Sequence, residues 1–146
     1  MSVYTKQWVK TQLQRYSVAL VSFFVALASL GYNTWRNEQT EANRNVRAAG
    51  FEMIIAMTNL HEAVFLGHYS PNTTFGSEKK GWAVVLGLQD LSMVMSHRVQ
   101  EAATELGQAW KEESGNLGDP KASIARIDST IDRLRYEILM ALEALD

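Results

Sequence analysis

Three histidines carry the metal-ligating chemistry of this sequence: His61, His68 and His97. His61 and His68 stand seven residues apart in HEAVFLGH, with Glu62 beside the first, so a helix would place both imidazoles on one face. Seven residues advance a helix by about 10 Å, too far for two imidazoles to share one ion directly. The segment also lacks the i, i+4 histidine pair of zinc hydrolases. Surface or boundary histidines are therefore the expectation, with no metal site.

Other catalytic arrangements fare no better. Glu112 and Glu113 are adjacent and diverge on a helix, so they make no acid/base pair. No serine sits in a nucleophile elbow, and the nine glycines are too dispersed for a phosphate loop. The chain has no cysteine, which excludes disulfides, thiolate nucleophiles and cysteine metal sites. No catalytic residue and no cofactor is predicted, and the chain does not read as an enzyme. Asn72-Thr73-Thr74 matches a glycosylation acceptor, a short pattern that matters only in a eukaryotic secretory pathway.

Charge is divided along the chain. Residues 1–15 hold Lys6, Lys10 and Arg15 and no acid, whereas all 16 acids follow residue 35, against 11 Lys and Arg. A basic tail suits anionic head groups. An acidic remainder argues against nucleic acid as a partner, since phosphate binding needs a basic face.

Between the tail and the acidic remainder, 20 residues from Tyr16 to Trp35 carry no charge. As a helix they span roughly 30 Å, the thickness of a hydrocarbon core. Tyr16 marks one end and Tyr32 and Trp35 the other, where amphipathic rings favour the interface. Arg15 and Arg36 flank the run and can extend outward to the head groups. Residues 16–35 are therefore predicted to cross the bilayer. The rival reading is a cleaved signal peptide, with Ala26-Leu27-Ala28 as its cleavage site. The apolar run continues past that site, and aromatic residues at both ends fit a retained helix. Basic residues near the two ends tie; the short, wholly basic tail predicts a cytoplasmic N-terminus and a domain outside the cytoplasm.

Within the span Ala19, Ser22, Ala26 and Ser29 recur at steps of 3, 4 and 3, a small-residue stripe along which two helices can approach closely. Ahead of it, Tyr4 with Trp8 and Lys6 with Lys10 make residues 1–15 a basic amphipathic tail.

After the span, residues 36–45 are polar all round and free of Pro and Gly, so the helix is predicted to continue as a stalk. Residues 46–146 then read as a bundle. Val46, Ala49, Met53, Met57, Leu60 and Val64 mark one apolar face of a helix over about 36–69. Trp82, Val85, Leu88, Leu91, Met95, Val99, Ala102, Leu106 and Trp110 mark a second over 78–113. Ile124, Ile127, Ile131, Leu134, Ile138, Leu142 and Leu145 mark a third over 120–145, with Asp119 as cap and Pro120 at its first position. Arg133 and Glu137, one turn apart, are expected to pair. Residues 70–77 and 114–120 are turn-rich links, with Thr74 or Ser77 able to cap the second helix. The predicted fold is all-α: one transmembrane helix continuous with an antiparallel three-helix bundle.

Apolar residues also lie off these faces: Phe51, Ile54, Ile55, Phe65 and Leu66 on the first helix, and Val84, Leu86, Met93 and Val94 on the second. That surface is wider than two neighbours need and predicts a fourth surface from a second copy or a partner. The methionines Met53, Met57, Met93 and Met95 read mainly as core filler. Phe51, Phe65, Trp82 and Trp110 are the candidate partner or ligand residues. The expected role is a membrane-anchored interaction protein, partnered by the lipid bilayer and by itself or a membrane complex. The alternative is a sensory or ligand-binding bundle with a pocket near Phe51, His61, Trp82 and Trp110. The layout resembles, at that level alone, membrane-anchored bacterial accessory proteins and chemoreceptor sensor bundles.

Overall fold

The computed structural model describes residues 3–69, 78–119 and 124–145, with side chains described from Tyr16 onward. It contains four α-helices: α1 (Val3–Tyr69), α2 (Glu78–Ser92), α3 (His97–Glu113) and α4 (Ala125–Glu143). A 3-10 turn, Ser114–Asn116, follows α3, and no strand occurs among the described residues. No proline occurs within the described helices, so no ring interrupts their backbone ladders. The capping residues Thr74 and Ser77, the acceptor triplet at Asn72, and Pro120 all lie outside the described residues. The described part of α4 is entered through Ile124.

The chain divides into two compact units, Met1–Ala42 and Asn43–Asp146. In the first, every described side chain from Tyr16 to Ala42 is exposed. This part of α1 supplies the one helix among the described residues that is long and apolar enough to cross a membrane. Thr34 and Thr40 donate their hydroxyls to the Leu30 and Arg36 carbonyls one turn back, so neither hydroxyl needs an outside acceptor.

The second unit is built on one apolar core. Met53, Met57, Leu60 and Val64 come from α1, and Val85 and Leu88 from α2. Val99, Leu106 and Trp110 come from α3, and Ile127, Ile131, Leu134 and Ile138 from α4. All are essentially closed to solvent. Each such side chain contributes about 1.5–3 kcal/mol over leaving it exposed.

Cross-helix contacts give the directions of neighbouring helices. Glu78 accepts from the Ser114 hydroxyl, Gly81 lies under the Trp110 ring and Gln89 donates to the Ala103 carbonyl, so numbers rise on α2 as they fall on α3 and the turn beyond it. Arg126 meets Glu112 and Arg133 meets Glu105, which reverses α4 against α3. Gly50 lies against Leu142, and Arg47 donates to the Leu145 carbonyl at 3.3 Å, which reverses α1 against α4.

The expected helix over 78–113 is two helices. The chain leaves α2 at Ser92, turns through Met93–Met95 and enters α3 after an extended Ser96. The turn closes on itself: the Met95 amide donates to the Ser92 carbonyl at 2.9 Å, and the Gln100 side chain donates to the Met95 carbonyl at 3.0 Å. Buried Ser92 satisfies its hydroxyl on the Gln89 carbonyl at 2.7 Å. Folding back in this way supplies a fourth helical surface from within the chain. A small part of the excess apolar surface seen in the sequence is met there: Ile54 and Val84 are half-buried against the core, whereas Phe51, Ile55, Phe65, Leu86, Met93 and Val94 stay exposed.

Gly81 holds the α2–α3 pair close. A Cβ at that position would lie 1.9 Å from Cζ2 of Trp110, so only a residue without a side chain fits beneath the indole.

Candidate functional site

The exposed side chains of the second unit are not all polar. On α1, Phe51, Ile55, Thr58, Glu62, Phe65 and Tyr69 step by 4, 3, 4, 3 and 4, and all are exposed. At about 100° per residue this spacing keeps them on one stripe, turned away from the core positions Met53, Met57, Leu60 and Val64. Phe51, Ile55, Phe65 and Tyr69 are 60, 58, 55 and 64 % exposed, which leaves most of each side chain in water. The Phe65 and Tyr69 rings pack at 4.7 Å between centroids, and His68 meets Tyr69 edge-on at 4.8 Å.

Beside this stripe lies a groove between α1 and α4, lined by Thr58, His61, Glu62, Phe65 and Arg135. Thr58 donates to the Ile54 carbonyl at 3.1 Å, leaving its oxygen free to accept. Arg135 is half-buried, and its Nε has no hydrogen-bond partner. No ion pair joins Glu62 and Arg135 among the described residues. Leu139, one turn beyond Arg135 on the same side of α4, is exposed and extends the apolar wall.

Two further grooves have different character. Asn59, Glu62, Ala63 and Leu66 of α1 face Lys80 and Val84 of α2. A wholly polar trough on α3 is lined by His97, Gln100, Glu101, Thr104, Glu105 and Gln108, with His97 Nδ1 3.4 Å from the Glu101 carboxylate. Along the α3–α4 seam, Arg126 reaches both Glu112 and Glu113, the latter at 3.6 Å. The hydrogen bond and charge of Glu112 raise the Arg126 guanidinium above its ordinary value. Arg133 pairs with Glu105 across this seam rather than with Glu137 one turn along.

The residues singled out by sequence are thus distributed. Ala19, Ser22, Ala26 and Ser29 lie exposed on α1, as do Tyr16, Tyr32, Trp35 and Arg36, with the Tyr32 and Trp35 rings 6.1 Å apart. The Arg15 side chain lies outside the described residues. Phe51 and Phe65 are on the surface stripe. Trp82 is half-buried, and Trp110 corrects the expectation of a surface: it is wholly enclosed because its indole fills the space above Gly81. Phe51 is exposed while Trp110 is enclosed, and His61 shares its groove with Phe65 and Arg135. The three histidines join no cluster of metal-ligating side chains among the described residues.

Sequence reasoning missed Arg135, Leu139 and the exposed Tyr136 and Met140 of α4. The signal was the same one used on the first helix: apolar residues standing off the core steps. No family model, curated protein or solved structure matches the chain. Its function must be read from its own surfaces.

Proposed function

We propose that this chain is a single-pass membrane protein whose helical domain works by binding protein, as an accessory or structural component that self-associates or holds a larger membrane complex. In this reading residues 16–35 cross the bilayer, the basic tail stays in the cytoplasm and an antiparallel helical bundle stands outside it. The carrying observation is the stripe of Phe51, Ile55, Phe65 and Tyr69, four large apolar side chains held on one side of α1 without a covering element. Along the span, Ala19, Ser22, Ala26 and Ser29 offer a second line of close approach. A ligand-sensing bundle needs an enclosed polar pocket; the apolar core and the open surface grooves support protein binding instead.

Purification of the tagged chain from its native membranes in mild detergent, followed by mass spectrometry and native sizing, tests this. The expected result is an oligomer or a stoichiometric membrane partner, weakened by Ala19→Leu or Ala26→Leu. A monodisperse monomer without a partner would overturn it.

A further inference from the structure

We infer that the α1–α4 groove is a two-fold contact between copies of this chain, in which Glu62 of each copy meets the partner's Arg135. This rests on the interaction reading above and commits it to one occupant, a second copy.

The stripe keeps to one side of its helix: steps of 4, 3, 4, 3 and 4 average 3.6 residues, one α-helical turn. Its apolar residues lie at the two ends, Phe51 with Ile55 and Phe65 with Tyr69, and its polar residues, Thr58 and Glu62, lie in the middle. Arg135 opens into the groove at that same middle level.

An isologous contact lays one surface upon itself, so residue i meets j and j meets i. A groove that holds one acid and one base at its centre is therefore complementary to its own copy. A two-fold axis running lengthwise along the groove, between α1 and α4, keeps the copies parallel and creates two equal Glu62–Arg135 pairs, with the apolar ends of the stripe above and below them to exclude water.

Arg135 is short of an acceptor within its own chain. It joins no ion pair among the described residues, whereas Arg126 and Arg133 both reach carboxylates. A guanidinium presents five donors in a planar fork that matches a carboxylate. Glu62 supplies the carboxylate and has no ion pair of its own among the described residues. The domain's net negative charge does not forbid the contact, because repulsion between exposed charges fades beyond about 8 Å at physiological salt.

The absence of cysteine makes the test clean. Thr58→Cys places a thiol near the proposed axis in the full chain, and disulfide dimer yield in detergent or nanodiscs reads the contact. The Thr58→Cys chain should cross-link efficiently. Adding Glu62→Arg or Arg135→Glu puts like charges together and should lower the yield on the order of tenfold, the equivalent of about 1.4 kcal/mol. Mixing the two charge variants, with tags of different length, should restore a heterodimer, since each copy then supplies what the other lacks. An intrachain Glu62–Arg135 pair predicts no rescue on mixing. Unfolding curves confirm that the variants fold; should Arg135→Glu unfold, Glu62→Gln and Arg135→Gln must each still reduce the yield. Unchanged yields in the single variants, or failure of the mixture to recover, overturn the contact. A Thr58→Cys monomer that co-purifies a different protein overturns the contact and leaves the interaction reading standing. A monomer with no partner overturns both.

Discussion

Residues 16–42 and 43–69 lie in one helix, yet their apolar side chains are laid out by different rules. In the first stretch Leu20, Val21, Phe23, Phe24 and Val25 follow one another closely, so they spread around more than half of the axis, the rest being the line of Ala19, Ser22, Ala26 and Ser29, and all are exposed. In the second, Met53, Met57, Leu60 and Val64 recur every three or four residues and are buried against α2, α3 and α4. Propensity does not distinguish the two stretches, since both are helical. The placement of apolar groups around the axis does. An all-round apolar surface asks for an all-round apolar environment, and a one-sided surface asks for neighbours on one side.

Replacing one side chain in each stretch should separate them. Met57→Ala should cost the bundle roughly 2–5 kcal/mol, through lost burial and the cavity left behind. Phe24→Ala should leave the same unfolding transition in place, because the Phe24 side chain is exposed and no burial is lost with it. Chemical denaturation of the detergent-solubilised chain, followed by circular dichroism, reads both, and equal shifts would erase the distinction. The same contrast can be sharpened with two glycines of one helix. Gly81→Ala drives a methyl into the Trp110 ring and should destabilise by about 1–3 kcal/mol. Gly87→Ala has nothing within 4 Å and should be neutral or stabilise by up to ~1 kcal/mol, as alanine favours a helix. The smallest effect belongs to the solvated seam. Arg133→Ala should cost ~1 kcal/mol or less, and the loss should shrink in high salt, because both partners are exposed.

Periodicity made the core of the second unit legible in advance. Met53, Met57, Leu60, Ile127, Ile131, Leu134 and Ile138 all occupy positions that helical spacing assigns to a buried face. The division of 78–113 stayed hidden for a physical reason. Met95 and Val99 continue the three- and four-residue steps across the turn, so folding the helix back introduces no slip in the pattern. Neither Pro nor Gly marks the place; side-chain hydrogen bonds from Ser92 and Gln100 help hold it, and these depend on the folded neighbours. Trp110 misled for a related reason. A large aromatic residue suits an interface or a core equally, and what decides between them is the missing side chain at Gly81, 29 residues away in sequence. The aromatic stripe was half visible: Phe51 and Phe65 stood off the core steps, but their link to Arg135 exists only once α4 lies beside α1.

The notch at Gly81 also carries information about alignment. Two smooth helices joined by a short turn can pack in several vertical offsets, each burying similar area. Here one bulky indole must find one gap. One turn along α2 stands Val85, whose side chain leaves no room for the ring, and Gly87 lies off the buried side. The α2–α3 pair therefore has a single seating, as a key has in a lock with one slot. What sets the vertical registration of the hairpin is an atom that the chain leaves out.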